Sequence, residues 1–398
     1  MTQPTRKALI LPGAGARGAY QVGVLKAVAE LLPDDAPCPF RVLTGTSAGA
    51  INASVLASRA GNFVHAVREM EQVWSGFRVQ DVYRADAWTM LKSSLHWLFT
   101  IVLGGLGKRN PISLLDPSPL ESLLRKQIQF RRIDRSIRRG EIEALAVTAS
   151  AYTSARSVTF YQSEKPSTSW ARTRRIGRPT EIRVEHLMAS AAVPFIFPAV
   201  RVGTEYFGDG SMRHRAPLSS AIHLGADRLL VIGVRDEHPD PEPEPGAEPD
   251  PPSLAHLAGY MLDSLFMDGL YGDLERITRI NMILDQLGTG RLTGPIANLR
   301  RIDSMVVLPS RDIRESAEDH VGELPFALRT LLRGLGATRR DGRQLVSYLL
   351  FEAGFTRELI DLGYRDGRER RDELEAFLFD EEMQPLEAPP YLRADLEH

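Results

Sequence analysis

The sequence predicts an α/β protein of three layers, with a mostly parallel central sheet between helices and a helical extension towards the C-terminus. Two observations predict this fold. An apolar strand, a glycine-containing turn and a helix occur twice in succession near the start of the chain, and units of this kind build parallel sheets. Apolar strand runs then alternate with helices to about residue 310, whereas residues 311–398 read mainly as amphipathic helix.

The first two units define the start of the sheet. The first consists of a strand, a turn and a helix: Ala8–Leu11, Gly13–Gly18 and Ala19–Leu32. The second repeats that order with a helix rich in small residues: Arg41–Thr44, Gly45–Gly49 and Ala50–Ser58. Residues 62–139 read mainly as helix and loop, so we expect them to form a helical insertion in the core.

Further strand runs follow the insertion. We predict that Ala144–Ala151 pairs with Ser157–Gln162, that Val200–Phe207 is hairpin-like, and that two more buried strands are Leu229–Val234 and Ser304–Leu308. We therefore expect residues 1–235 to form the core domain, and residues 253–310 to complete it with a long helix and a last strand. Between them, residues 236–252 are rich in proline and acidic residues and are expected to be a disordered loop. Residues 311–398 form the helical extension.

Composition narrows the class of protein. Apolar residues make up 43% and charged residues 25% of 398 residues, which is ordinary for a soluble globular chain. A net charge of −2 gives no support to nucleic-acid binding. The single cysteine excludes an intramolecular disulfide. His, Cys and carboxylates show no metal-ligand spacing, so we expect no metal and no organic cofactor.

The localisation predicted from sequence is cytoplasmic, with peripheral contact to a membrane. The N-terminal apolar run is too short for a signal peptide, and no window reaches the ~20 apolar residues needed to span a bilayer. Trp88–Leu106 places apolar side chains at helical spacing and is followed by Lys108 and Arg109. This pattern fits a membrane-contacting lid. A segment of the core is an equal alternative.

The second turn carries a candidate nucleophile. Gly45–Gly49 reads GTSAG, a Gly-x-Ser-x-Gly pattern that follows a strand and precedes a helix. A catalytic serine in this pattern sits on a strained strand-to-helix turn, where Gly45 and Gly49 let neighbouring chain segments pass closely. The positive end of the helix faces the same centre. The alternative is that Ser47 is only the N-cap residue of the helix.

The first turn is a candidate oxyanion hole. GAGARG follows a strand and opens a helix, so its backbone N–H groups can face a developing oxyanion. A dinucleotide-binding turn is the alternative, but it requires a carboxylate at the end of the next strand. That strand runs into the serine turn instead. The residues assigned to the loop are Gly13, Ala14, Gly15, Ala16, Arg17 and Gly18, where Arg17 either anchors the loop or meets a phosphate.

The candidate base is Asp209. It stands in a Gly-Asp-Gly-Ser turn after a strand, and flanking glycines, including Gly210, let its carboxylate point into a cleft. Among nine histidines, only His214 lies in a comparable place. A conventional Ser–His–Asp hydrolase that uses His214 therefore stays open, as does the possibility that Asp209 is part of an ordinary hairpin turn.

Together, Gly13–Gly18, Gly45–Gly49 and Asp209–Gly210 resemble the patatin-like phospholipases and acylhydrolases in order and separation. The runs LPGAGARGAYQVGVLKA, GTSAGAINA and ASAAVPFIFPAV carry this resemblance, and the C-terminal tail is similar to that of longer bacterial members. The resemblance implies a Ser47–Asp209 dyad, an oxyanion hole in the first loop and hydrolysis of (phospho)lipid esters through an acyl-enzyme.

Two residues depart from the pattern of that family. Ala14 replaces a glycine, which is tolerated if its φ is negative. Ser211 replaces the glycine or alanine after Asp-Gly and can add a hydrogen bond to Asp209. The rival function is a catalytically weak lipid-binding or signalling protein on the same fold.

Overall fold

The structure is a computed structural model, and it describes residues 5–84, 113–164, 169–213, 216–236, 251, 253–287, 299–337 and 342–380, without the side chains of residues 265–268. Three sequence-based expectations fall wholly or mainly outside these residues: the Trp88–Leu106 lid, His214 and the acidic segment 236–252. Asp236, the first residue of that segment, is described and is buried.

The described strands form one mixed sheet in which most pairs are parallel. Its order is β10-β9-β1-β2-β3-β4-β6-β5, and β8 pairs with both β3 and β7. The strands are β1 Lys7–Leu11, β2 Val42–Thr46, β3 Ala144–Ala151, β4 Ser157–Ser163, β5 Ala171–Arg172, β6 Arg175–Pro179, β7 Val200–Val202, β8 Glu205–Asp209, β9 Arg228–Ile232 and β10 Asp303–Val307.

Helices flank this sheet and continue as a helical C-terminal region. The helices are α1 Gly18–Ala29, α2 Ala48–Ser58, α3 Phe63–Ser75, α4 Val79–Val82, α5 Ser118–Gln127, α6 Phe130–Arg138, α7 Val184–Ser190, α8 Ser219–His223, α9 Leu254–Leu287, α10 Ile313–His320, α11 Phe326–Gly334, α12 Arg343–Leu349, α13 Ala353–Glu369 and α14 Arg371–Leu378. Short 3₁₀ turns are Gly15–Arg17, Gly210–Arg213 and Val321–Glu323.

The predicted fold class is confirmed. Strands β10, β9, β1, β2 and β3 are neighbours that pair in parallel, and the run predicted as a strand pair is antiparallel β3–β4. The second strand continues to Thr46, two residues past its predicted end, because Thr46 still pairs with Thr148. Local composition did not show this extension, since it depends on a partner about 100 residues away.

Strand β3 brings two distant chain segments end to end. On one edge, Ala144–Ser150 pairs with β4. A strand has only two edges, so the other pairings lie on the second edge: β2 runs parallel to β3 as far as Thr46 opposite Thr148, and β8 runs antiparallel with Asp209 opposite Ala149. The residue after β2, Ser47, therefore meets the last residue of β8.

The C-terminal helices are packed into the core of the protein. Helices α1 and α13 approach closely because glycines face the partner backbone: a Cβ at Gly23 would overlap the carbonyl oxygen of Ile360, and one at Gly363 would overlap that of Tyr20. The hydroxyl of Tyr20 also donates to the carboxylate of Asp366 at 2.9 Å. Residues from both ends of the described chain therefore stabilise one core.

The close helix contact gives a test of stability. Gly363→Ala should lower the free energy of unfolding by about 1–3 kcal/mol, because the added methyl group forces α13 away from α1. Gly272→Ala on α9 is the matched control, since nothing lies within 4 Å of its Cβ position, and it should be neutral or slightly stabilising. Urea denaturation measures both variants. Equal stability of the two would show that the helices do not approach this closely.

Candidate active site

Ser47 occupies a strained turn between β2 and α2. Its backbone has φ 53° and ψ −128°, a conformation that residues with a side chain rarely adopt. The flanking glycines are required sterically, because a Cβ at Gly45 would overlap the backbone of Gly49 and Ala50, and one at Gly49 would overlap the carbonyl oxygens of Leu11 and Pro12. This geometry fits the strand-to-helix turn predicted from GTSAG.

The backbone of Ser47 is held by a serine that the sequence analysis did not single out. The N–H of Ser47 donates to Ser190 Oγ at 2.9 Å, and the Ser190 hydroxyl donates to the carbonyl of Thr148 at 2.6 Å. Ser47 lies at the N-cap position of α2, but its side chain makes no capping hydrogen bond. The structure therefore gives no support to a capping role for its hydroxyl.

Asp209 is almost completely buried and lies beside Ser47. Its Oδ1 accepts a hydrogen bond from the Ser211 N–H at 2.9 Å, and its own N–H donates to the carbonyl of Ala192 at 2.8 Å. Its Oδ2 is buried and accepts no hydrogen bond of ordinary geometry from any residue that the structure describes. An unpartnered carboxylate oxygen next to a hydroxyl is suited to take up a proton.

Burial controls the charge of this carboxyl. Desolvation raises the pKa of Asp209 to about 6, since the interior stabilises a carboxylate less than water does. The neighbouring Ser47 hydroxyl and the backbone and side chain of Ser211 lower that pKa and so oppose the effect in part. The carboxylate is therefore ionised at neutral pH, yet it is more basic than an exposed aspartate.

The turn after Asp209 leaves no room for a larger residue. A Cβ at Gly210 would overlap the carbonyl oxygen of Thr148, and the carbonyl of Gly210 accepts a hydrogen bond from Ser150 Oγ at 3.1 Å. Both contacts tie the turn to β3. Strand β3 thus fixes the position of the turn that carries the Asp209 carboxylate.

The Gly13–Gly18 loop lies near the turn that carries Ser47. Gly15 has φ +54° and lines the same cavity as Ser47. Ala14, which replaces the usual glycine, has a negative φ of −146°. Gly13 and Ala16 are buried, and Gly18 begins α1 with its Cα against the Trp74 ring. The loop and the serine therefore border the same cavity.

Arg17 anchors this loop to the C-terminal half of the chain. Its guanidinium is 1% exposed, donates to Ser347 Oγ at 2.7 and 2.9 Å and forms an ion pair with Asp263 at 3.2 Å. The same guanidinium lies 3.9 Å from the centre of the Tyr348 ring. Of the two roles predicted for Arg17, these contacts are those of an anchor.

An apolar cavity opens beside Ser47. Its wall is built mainly from aliphatic and aromatic side chains of α2, α3 and α5, joined by residues after α7 and by α12; examples are Ile51, Val73, Trp74, Leu124, Ile196 and Leu349. A cavity of this kind accommodates an apolar ligand with its reactive group at the serine.

Among the described residues, no group of three or more His, Cys, Asp or Glu side chains is arranged to hold a metal ion. None of the described helices combines the length and the apolar character needed to cross a bilayer.

The structure brings together the three predicted motifs, Gly13–Gly18, Ser47 and Asp209. The sequence analysis missed the supporting residues Ser190, Asp263 and Tyr348. Ser190 lies at the start of the ASAAVPFIFPAV run, so that run was a usable signal for it. Asp263 and Tyr348 lie in helices whose composition gives no sign of contact with the first loop.

Comparison with known proteins gives a family and distant structural likenesses. A family model described as Patatin-like phospholipase matches residues 9–222, which is more than half of the chain. No curated protein matches the sequence.

Three solved structures are similar at low identity. VipD from Legionella pneumophila is 15% identical with a TM-score of 0.33, over 88% of this chain and 67% of that one. A chain of the heterodimeric ExoU–SpcU complex of the Pseudomonas aeruginosa type III secretion system is 21% identical with a TM-score of 0.25, over 51% of this chain and only 39% of that one. Another structure of the complex gives 16% identity and a TM-score of 0.28, over 87% and 71%. Neither substrate nor partners of this chain follow from such distant likenesses.

The raised pKa of Asp209 makes stability depend on pH. Because the folded-state pKa of about 6 lies above the ordinary value of 3.8, the protonated form stabilises the fold fully below about pH 4, and this stability is lost as the pH rises through about 6. Asp209→Asn should therefore raise the free energy of unfolding at about pH 8 by about 1–3 kcal/mol, with a difference that shrinks towards about pH 4. Urea denaturation at both pH values measures it.

The matched control is Asp319→Asn, since Asp319 is exposed and its replacement should leave the pH dependence unchanged. A difference between wild type and Asp209→Asn that is the same at both pH values would contradict the raised pKa.

Proposed function

The chain belongs to the patatin-like phospholipase family, and we propose that it is a serine acylhydrolase that cleaves carboxylic ester bonds of (phospho)lipids with a Ser47–Asp209 dyad. Family membership supports a lipid ester hydrolase in general. The single observation that supports the dyad most directly is the buried Asp209 carboxylate beside a serine on a strained strand-to-helix turn, close enough for the Ser47 hydroxyl to lower the pKa of Asp209. The proposal includes activity of the phospholipase A or lysophospholipase type.

The first half of the proposed reaction forms an acyl-enzyme. Asp209 takes the proton of the Ser47 hydroxyl as the oxygen attacks the acyl carbonyl carbon, and the carbonyl oxygen becomes an oxyanion. Backbone N–H groups of the Gly13–Gly18 loop stabilise that oxyanion. The bond to the alcohol breaks, and protonated Asp209 returns its proton to the departing oxygen. Its pKa of about 6 suits both steps, because a base and acid near neutrality transfers a proton in either direction.

The second half releases the fatty acid. A water molecule gives its proton to Asp209 and attacks the acyl carbon, and the same N–H groups hold the second oxyanion. Ser47 leaves with the proton from Asp209. The dyad then returns to its starting state with no net gain or loss of protons.

The contacts of the loop support its part in this mechanism. An oxyanion hole is effective when its donors are fixed before the reaction begins. Arg17 is fixed by Ser347 and Asp263. Gly15 packs directly against the backbone of Tyr348, since a Cβ at Gly15 would lie 2.5 Å from the Tyr348 carbonyl oxygen. The loop therefore has little freedom to move away from Ser47.

A catalytically weak lipid-binding protein is the main alternative, and the site gives it less support. Lipid binding alone needs neither a strained serine nor a buried aspartate that destabilises the fold at neutral pH. Labelling of Ser47 by a fluorophosphonate separates the two functions. Peripheral membrane contact through Trp88–Leu106 and a cytoplasmic location stay predictions from sequence.

Removal of either dyad residue should abolish the activity. Ser47→Ala and Asp209→Ala should each lower kcat/KM on a short p-nitrophenyl ester by about 10³-fold or more, and the double variant should lose little beyond that, because the two groups act as one unit. Ser122→Ala and Asp319→Ala replace exposed residues of the same types and should keep wild-type activity.

His214→Ala decides the competing assignment of the base. The dyad predicts that His214→Ala retains activity. Near-native activity of Asp209→Ala, together with loss of activity in His214→Ala, would contradict the dyad and favour a histidine base.

The pH dependence of kcat/KM gives a further test of the Asp209 base. Since only ionised Asp209 can take the serine proton, kcat/KM should rise with pH and reach a plateau, with an apparent pKa of about 6. A profile on a neutral short-chain ester measures this without ionisation of the substrate. A rate that falls as the pH rises through this range would contradict a carboxylate base.

A further inference from the structure

The apolar cavity beside Ser47, called the channel below, is lined in sequence order by residues along α2. One wall is a stripe of α2 that starts at Ser47 and continues through Ile51 and Val55 to Arg59. These positions follow one another at helical spacing of three or four residues, so they lie on one face of the helix. With a rise of about 1.5 Å per residue, the distance from Ser47 to Arg59 along the axis is about 18 Å.

The facing helix α3 runs in the opposite direction along the same channel. Trp74 lies near the serine end, since its indole N–H donates to Asn52 Oδ1 at 3.0 Å and its ring touches the Cα side of Gly18. Val73, Met70 and then Glu69 continue the wall away from Ser47. The wall residues of α2 and those of α3 therefore indicate the same direction, from Ser47 towards Arg59 and Glu69.

Charged side chains meet at the far end. Arg59 forms an ion pair with Glu69, and Arg59 Nη1 donates to the backbone carbonyl of Gln127 at 3.0 Å. Gln127 is the last residue of α5, the third helix of the wall. His65 Nε2 lies 3.1 Å from the second oxygen of Glu69. The three walls of the channel thus converge on one polar cluster.

We propose that this channel holds the acyl chain of the substrate and that the Arg59–Glu69 pair sets its length. This inference rests on the proposed esterase function. An extended acyl chain advances about 1.3 Å per carbon, because its carbon–carbon torsions are staggered. A channel of about 18 Å therefore accommodates about 10 to 14 carbons from the carbonyl at Ser47 to the ion pair. A longer chain must push its apolar end against paired charges, which is unfavourable.

The substrate class is accordingly a lipid with one medium-length, unbranched acyl chain at the bond that is cleaved. Each added methylene within the channel gains apolar contact, worth about 0.8 kcal/mol when fully buried. Wild-type kcat/KM should therefore rise along a series of p-nitrophenyl esters from butyrate to laurate and fall at stearate.

Variants that shorten the channel test the assignment. Val55→Trp fills the middle of the α2 wall, and Val73→Trp fills the middle of the α3 wall. Each should lower the laurate-to-butyrate ratio of kcat/KM by about tenfold or more, a size typical of steric exclusion from an apolar pocket. Gln72→Trp is the matched control on α3, because Gln72 is exposed and is not part of the wall, so it should leave the ratio unchanged.

A variant that removes the charges at the far end tests the role of the ion pair. Arg59→Met combined with Glu69→Leu replaces both charges with apolar groups and leaves no unpaired charge behind. The stearate-to-laurate ratio should increase by about fivefold or more. The ratio is measured within one variant, so an overall change in activity does not affect it.

The outcomes separate this inference from the function on which it rests. If Ser47 is labelled by a fluorophosphonate and short esters are hydrolysed, but none of these variants changes the chain-length ratios, the channel assignment is overturned and the esterase stands. If the wild-type protein hydrolyses no ester and Ser47 is not labelled, the proposed function fails and the channel assignment fails with it.

Discussion

The candidate site depends on two strands, β2 and β8, which pair with the same edge of β3 and run in opposite directions. β2 ends at Thr46 opposite Thr148, and β8 ends at Asp209 opposite the next residue, Ala149. The hydrogen bonds of β3 therefore fix Ser47 and Asp209 next to each other, although 162 positions separate them in the sequence. Ser190 extends this control, because its hydroxyl links the N–H of Ser47 to the carbonyl of Thr148 on the same strand. The sheet thus positions both the serine and the carboxylate.

The same arrangement places an ionisable group where it is costly for stability. A carboxylate with almost no exposure loses hydration, which is why the pKa of Asp209 rises to about 6. The backbone of Ser47 adds strain. Glycines at positions 45, 49 and 210 prevent steric overlap with neighbouring backbone, but they do not remove this strain. Such local costs are compatible with folding because the surrounding sheet and helices form a large continuous core. Activity and stability are expected to conflict at this site, as they do when a catalytic group must stay reactive.

The C-terminal helices belong functionally to the first half of the chain. Helix α13 packs on α1 through glycines of both helices, and α1 begins immediately after the candidate oxyanion loop. Asp263 on α9 and Ser347 on α12 hold Arg17 of that loop, while Tyr348, Leu349 and Phe351 line the cavity beside Ser47. The family model covers residues 9–222, so these contacts come from beyond the matched region.

The sequence alone determined those features of the fold that depend on residues adjacent in the chain. A glycine on each side of Ser47, a strand before it and a helix after it determine the turn, because the backbone conformation there depends on residues next to it. The same is true of the Gly13–Gly18 loop, the Gly-Asp-Gly turn and the alternation that predicted a mostly parallel sheet. Only the tertiary structure decided that β8 joins the edge of β3 beyond β2, that Arg17 is an anchor, that Ser190 supports the serine and that Arg59 meets Glu69 at the end of a channel. Each of these depends on strand register or helix packing between residues far apart in the chain, which periodicity and composition at either position do not determine. For Ser190, the ASAAVPFIFPAV run marked the segment but not the contact.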